Sequence, residues 1–124
     1  MALENDDRTL TSEQALEMSQ SGKIILIDVR REDEWVSTGL APNAHAISMS
    51  DSNFIGKLEE LTSNNKDHPV AVICAAGGRS ARVAQALHQE GYNFVYDVAE
   101  GMVGGPFGSG WVNKNLPTIA YNAQ

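Results

Sequence analysis

The chain has 124 residues, 42% of them hydrophobic and 20% charged, which is the composition of a folded globular protein and not of a disordered or collagen-like chain. Nine Lys and Arg against sixteen Asp and Glu give a formal charge of −7, which argues against a general nucleic-acid or anionic-membrane binder but leaves room for a small local anion site. One cysteine, Cys74, rules out an internal disulfide, a CxxC redox pair and a thiolate zinc cluster, so any thiol chemistry takes its second sulfur from outside.

Residues 1–8 read as a polar lead-in with neither a basic region nor an apolar run, and nothing downstream approaches the ~20 apolar residues of a membrane span. The expectation is a cytoplasmic protein, where a free thiol stays reduced. Residues 9–11 form a short first strand. Ser12 caps a helix running to about Ser19, with Ala15, Leu16 and Ser19 facing inward, and Gly22 ends it. The run Lys23–Val29 is apolar throughout and rich in branched residues, as in a strand buried on both faces of a parallel sheet. Glu32–Thr38 is a short helix closed by Gly39. Ala44–Ser48 is a strand, and Asp51–Leu61 a helix with Phe54, Leu58 and Leu61 on one stripe. After the loop 64–69, Val70–Ile73 is a second buried strand. A helix runs from Arg79 or Ser80 to Glu90, with Val83, Ala84 and Leu87 on its apolar face, and Gly91 stops it. Asn93–Val98 is the last strand. The tail is rich in Gly and Pro, with one helical turn near Trp111. Strands alternating with helices imply a mainly parallel sheet with right-handed crossovers, and ligands in such sheets bind at the carboxyl ends of the strands. Asp28 and Cys74 both stand at such ends.

The chemistry converges on the loop Cys74-Ala75-Ala76-Gly77-Gly78-Arg79-Ser80, which joins a buried strand to a helix. Unpaired N–H groups at the helix start point into the loop, and the helix dipole adds roughly half a positive charge there. Gly77 and Gly78 allow the loop to curl into a nest of donors, and Arg79 adds a full charge. A thiol in that cup has a depressed pKa and is nucleophilic near neutrality, and the same cup holds an anion. Ala75 and Ala76 leave room above the sulfur and bring no titrating group.

The run Cys74-x-x-Gly77-x-Arg79-Ser80 matches the active-site pattern of the rhodanese domains, which this sequence resembles. Asp28-Val29-Arg30 followed by Glu34-Trp35 matches the family's upstream signature. Gly39, Pro42 and Ala44 keep the next one, while Leu40, Ala41 and Asn43 depart from it. Glu100-Gly101-Met102, Trp111 and Leu116-Pro117 match its close. The resemblance covers about residues 9–118, within one domain spanning 1–124. It implies an α/β rhodanese-like fold, a central, mainly parallel five-stranded sheet with helices on both faces. It also implies sulfur transfer: Cys74 takes the outer sulfur of thiosulfate or a similar donor as a persulfide, then passes it to cyanide or a cellular thiol. The N–H groups of Ala75, Ala76, Gly77, Gly78 and Arg79 would hold the anion, with Ser80, Asp28, Arg30 and Glu34 in support. Arg30 is expected to pair with Glu34 and tie its strand to the next helix. Phe107 and Trp111 are expected to shape one wall of the pocket, and Trp35 to lie in the core or at its rim. Val103–Gly110 is longer and richer in glycine than the corresponding family loop.

No metal or organic cofactor is implied. The partners implied are a small-molecule sulfur donor and a thiol acceptor, on a small molecule or a protein, with no nucleic acid and no membrane. The same residues leave open a persulfide relay and a non-catalytic binding module. A Cys-His hydrolase would need His45, His68 or His88, all distant in sequence from Cys74. A phosphatase or arsenate reductase uses Cys-x5-Arg, one residue longer than the Cys-x4-Arg found here, and no Asp or Glu lies within the loop to act as an acid.

Overall fold

The apolar runs at 23–29 and 70–73 become adjacent central strands. In the computed structural model, which describes residues 8–122, β1 (Ile25–Asp28) and β3 (Val70–Ile73) pair in parallel, from Ile25 opposite Val70 to Asp28 opposite Ile73. β2 (His45–Ala46) flanks β1 and β4 (Val95–Asp97) flanks β3, giving the order β2-β1-β3-β4 with every pairing parallel. Both central strands have hydrogen-bonded neighbours on either side, which is why their sequences are apolar without interruption.

Side chains alternate between two cores, as the pleat requires. Leu26, Ala71, Ile73 and Tyr96 pack with Ala15 of α1 (Ser12–Gln20), Met102 and Trp111. Ile27, Val70, Val72 and Val95 pack on the other face with Leu58 of α3 (Phe54–Thr62) and with Val83 and Leu87 of α4 (Gly78–Gln89). Helices therefore cover both faces. The shorter α2 (Glu32–Thr38) follows the carboxyl end of β1, and a 3-10 turn (Val112–Lys114) follows Trp111.

The expected fifth strand is reduced to one parallel bridge, Thr9 to Asp97, held by Leu10 N–H on Asp97 O at 3.0 Å and Asp97 N–H on Arg8 O at 2.8 Å. Extension stops there because Thr11 already caps α1. Its hydroxyl accepts from Gln14 N–H while the Gln14 side chain accepts from Thr11 N–H. The cap is thus Thr11 and not Ser12, which is buried in the first turn. The rest of the polar lead-in, 1–7, lies outside the described residues. β2 is shorter than the strand expected at 44–48, although Ile47 and Met49 continue donating to Asp28 O and Val29 O. No helix among the described residues is long and apolar enough to cross a membrane.

Candidate active site

Cys74 directly follows β3, in the core on the α3 and α4 side of the sheet and one loop before α4. Gly77 makes the turn at φ 110°, and a Cβ there would sit 2.5 Å from Ala99 O, so both backbone freedom and lack of space require glycine. The turn aims Gly77 N–H at Cys74 Sγ, at 3.1 Å, and the helix start adds Ser80 N–H at 3.3 Å. The Ser80 hydroxyl stands 3.4 Å from Sγ and donates to Gly77 O at 3.3 Å. Cys74 is buried. Burial pushes its thiol pKa up, but the Ser80 hydroxyl and the N–H groups of Ser80, Gly77 and Ala76 outweigh that and bring it below the ordinary cysteine value.

The loop is propped from behind by Gly101–Val103. Met102 N–H donates to Cys74 O at 2.8 Å and Val103 N–H to Ala75 O at 2.9 Å. Glu100 anchors that segment. Its Oε2 accepts from Ser12 N–H at 2.9 Å and from Lys114 Nζ at 2.7 Å, and its Oε1 accepts from Gly110 N–H at 3.1 Å.

The structure corrects the expected ion pair. Arg30 is bound not to Glu34 but to Asp28, with Nη2 on Oδ2 at 2.8 Å and Nε on Oδ1 at 3.0 Å. It also donates to Thr38 Oγ1 and Gly39 O, and Asp28 further accepts from Trp35 Nε1. This buried knot clamps the middle and the carboxyl end of α2 to the end of β1. Glu34 instead takes Arg79 in a two-pronged pair, Nη1 to Oε1 at 2.7 Å and Nη2 to Oε2 at 2.8 Å. Sequence alone missed this because the two side chains are 45 positions apart and meet only when α2 and the start of α4 converge at the carboxyl edge of the sheet. Asp28 and Arg30 thus hold the helix whose Glu34 pairs with Arg79.

Trp35 is core, as one of the two expected positions had it. Trp111 is buried in the α1 core with Nε1 on Pro117 O at 2.8 Å, so it is no pocket wall. Phe107 is 69% exposed, and its ring reaches the flank of Gly77. The glycine-rich segment folds back through paired hydrogen bonds between Gly105 and Gly108. His68 lies at the amino end of β3 and His88 in the last turn of α4, both remote from Cys74 along those elements. His45 is exposed on β2, and no histidine hydrogen-bonds to Sγ among the described residues. Sequence reading also passed over Asp97, which lies opposite Val72 in the parallel register and hence on the Cys74 side of the sheet. No spacing within the chain signals that placement.

Two carboxylates here make stability depend on acid. Arg79 holds Glu34 at about 2 against the opposing effect of burial, with help from Arg31 N–H. Burial pushes Glu100 up, but Lys114 and the N–H groups of Ser12 and Gly110 hold it at about 2. Both prefer the charged form when folded, so their contribution is complete above the ordinary carboxylate range and is lost as pH falls toward about 2. Thermal melting is expected to drop steeply between about pH 4.5 and 2. Glu100→Gln should melt lower at pH 7 and show a shallower drop. Parallel curves would remove Glu100 from this account.

The fold and the cup together place the chain within a known group. The family model of the rhodanese-like domain matches residues 11–105, and the chain belongs to the rhodanese-like family. Thiosulfate sulfurtransferase GlpE of Actinobacillus succinogenes is 30% identical over 108 residues, covering 87% of this chain and 86% of that protein. The putative sulfurtransferase YtwF of Bacillus subtilis is 37% identical over 81 residues, covering 65% and 72%. Among solved structures, the polysulfide-sulfur transferase homodimer of Wolinella succinogenes aligns with a TM-score of 0.66 at 27% identity, over 97% of this chain and 83% of that one. The named relatives of the chain in this family are thus sulfurtransferases.

Proposed function

We propose that residues 1–124 work as one sulfurtransferase domain in which Cys74 carries the sulfur. The Cys74 thiolate attacks the outer sulfur of thiosulfate or a similar donor. A sulfur–sulfur bond forms at Sγ, the donor's own sulfur–sulfur bond breaks, and sulfite leaves with the electron pair. Cyanide or a cellular thiolate then takes the outer sulfur and returns Cys74 to the thiolate. A protein thiol as acceptor would make the same step a relay. A cytoplasmic setting, which keeps the thiol reduced, suits this cycle.

The observation that carries this reading is the position of Sγ, at the focus of the Gly77 and Ser80 N–H groups where α4 begins. Those donors, with the other N–H groups of the loop, would receive the negative charge of the persulfide. The four-residue spacing from Cys74 to Arg79 leaves a cup suited to one sulfur atom more than to a phosphoryl group. The test is intact mass after incubation with thiosulfate. Gain of one sulfur atom, reversed by cyanide, is the expected result. An unchanged mass with a thiol that still alkylates would overturn thiosulfate as donor.

The Glu34 pairing sharpens the expectation for Arg79. Arg79→Ala removes a cation and also strands the Glu34 carboxylate beside an anion site. KM for thiosulfate is expected to rise about tenfold, the equivalent of 1.4 kcal/mol. Glu34→Gln frees the Arg79 charge and should move KM the other way. Steady-state kinetics with both variants check the sign. Equal effects in one direction would mean that the pair only braces α2 against α4.

A further inference from the structure

We propose that Asp97 is a positioning residue that holds the Cys74 proton, passed to it through the Ser80 hydroxyl. The inference rests on Cys74 being the nucleophile and adds to it a route for the thiol proton.

The geometry comes from the parallel register. Asp97 on β4 lies opposite Val72 on β3, so its side chain shares a sheet face with Val72, Cys74 and Val95. α4 packs on that face, and its Ser80 is buried. On one side Ser80 Oγ is 3.4 Å from Cys74 Sγ. On the other it neighbours the Asp97 carboxyl. Oδ1 of Asp97 is buried and has no hydrogen-bond partner among the described residues, and the Ser80 hydroxyl, which donates to Gly77 O at 3.3 Å, must rotate away from that carbonyl to reach it. A buried carboxylate oxygen without a donor is costly, and one proton removes the cost. Burial does push the Asp97 carboxyl above its usual range, with the Ser80 hydroxyl pulling the other way.

The exchange balances. Sγ–H gives its proton to Ser80 Oγ as the Ser80 hydroxyl proton passes to Asp97 Oδ1. Before, the thiol is neutral and the carboxylate carries the charge. Afterwards the thiolate carries it, Ser80 donates to Sγ, and the neutral Asp97 carboxyl donates to Ser80 Oγ. The Gly77 and Ser80 N–H groups favour the second arrangement, since they already point at Sγ. The far side of Asp97 opens on a groove of about 360 Å³, through which its proton can exchange with water. The other charged or titratable groups lining that groove are Arg8 and His88. The Arg8 guanidinium is engaged with Asn93 O and the Tyr96 ring.

The experiment is the rate of Cys74 alkylation by iodoacetamide as a function of pH, which reads the thiolate without any sulfur donor. A protein that fails to form a persulfide can therefore still pass or fail it. The wild type is expected to show two steps, because the thiol and the carboxyl titrate as a pair. Asp97→Asn keeps a donor toward Ser80 and leaves one step. Asp97→Ala removes the donor, and alkylation near pH 6 should be about tenfold slower than in Asp97→Asn, the effect of one pKa unit. Ser80→Ala should erase the difference between the two. A one-step wild-type profile that superimposes on both Asp97 variants overturns the proposal. Should a variant not fold, carboxyl carbon-13 NMR of the wild type decides. Blocking Cys74 with methyl methanethiosulfonate must shift the Asp97 titration, and an unmoved titration overturns it.

Discussion

Cys74→Ser is expected to abolish sulfur transfer from thiosulfate to cyanide while the domain stays folded, its thermal midpoint lower by only a few degrees. The two halves of that result have separate causes. A serine hydroxyl is not appreciably ionised near neutrality even with donors pointed at it, and oxygen offers no sulfur–sulfur bond to build. The fold does not depend on the sulfur. Serine is smaller, and its oxygen accepts from the Gly77 and Ser80 N–H groups in the same way. The cost in stability is about 1 kcal/mol, the usual size for a near-isosteric change. The assay should be run beside the mass measurement, so that loss of transfer and loss of the bound sulfur are read on the same protein. Residual turnover above background in the variant would sink Cys74 as the carrier.

The largest effect on stability is expected from Gly101→Ala. Gly101 sits at φ 72°, and a Cβ there would lie 2.2 Å from Ala75 O and 2.8 Å from Ala76 N. Those are backbone atoms of the cup and cannot swing aside. The left-handed conformation adds its own strain for alanine. The cup can retreat only by breaking the bonds from Met102 and Val103 to the Cys74 and Ala75 carbonyls. Together these should cost about 3 kcal/mol or more, in the range reserved for backbone clashes and strained glycine sites. Urea unfolding measures the loss, and alkylation of Cys74 at neutral pH shows whether the donors have left Sγ. A midpoint close to wild type with unchanged alkylation would mean that the loop is softer than its packing implies.

Much of the site could be read locally. The order Cys74, Gly77, Arg79, Ser80 after an apolar run locates a thiol at a helix start, since a strand end, a glycine turn and a helix opening are all short-range features. Period and length identified the central strands for the same reason. What escaped was set by the tertiary structure. Arg30 and Glu34 sit at helical spacing and made a natural pair in sequence. Asp28 is nearer in space because the end of β1 turns Arg30 back on it. The partner that Glu34 does take, and the Asp97 carboxyl beside Ser80, depend on which strands lie side by side. Trp111 looked like a pocket wall from its place near the tail, yet the chain after Gly101 turns it into the α1 core.

The strand order carries a dynamic consequence. β1 and β3 are bonded on both edges, whereas β2 has two residues and the outer edge of β4 is covered by a single bridge at Thr9. Local opening therefore begins at the rims of the sheet, and the amides of Leu26–Asp28 and Ala71–Ile73 exchange with solvent last. Cys74 extends from that slow interior strand. The rims can fray and close many times while the sulfur stays fixed to the part of the molecule that opens only when the whole domain unfolds.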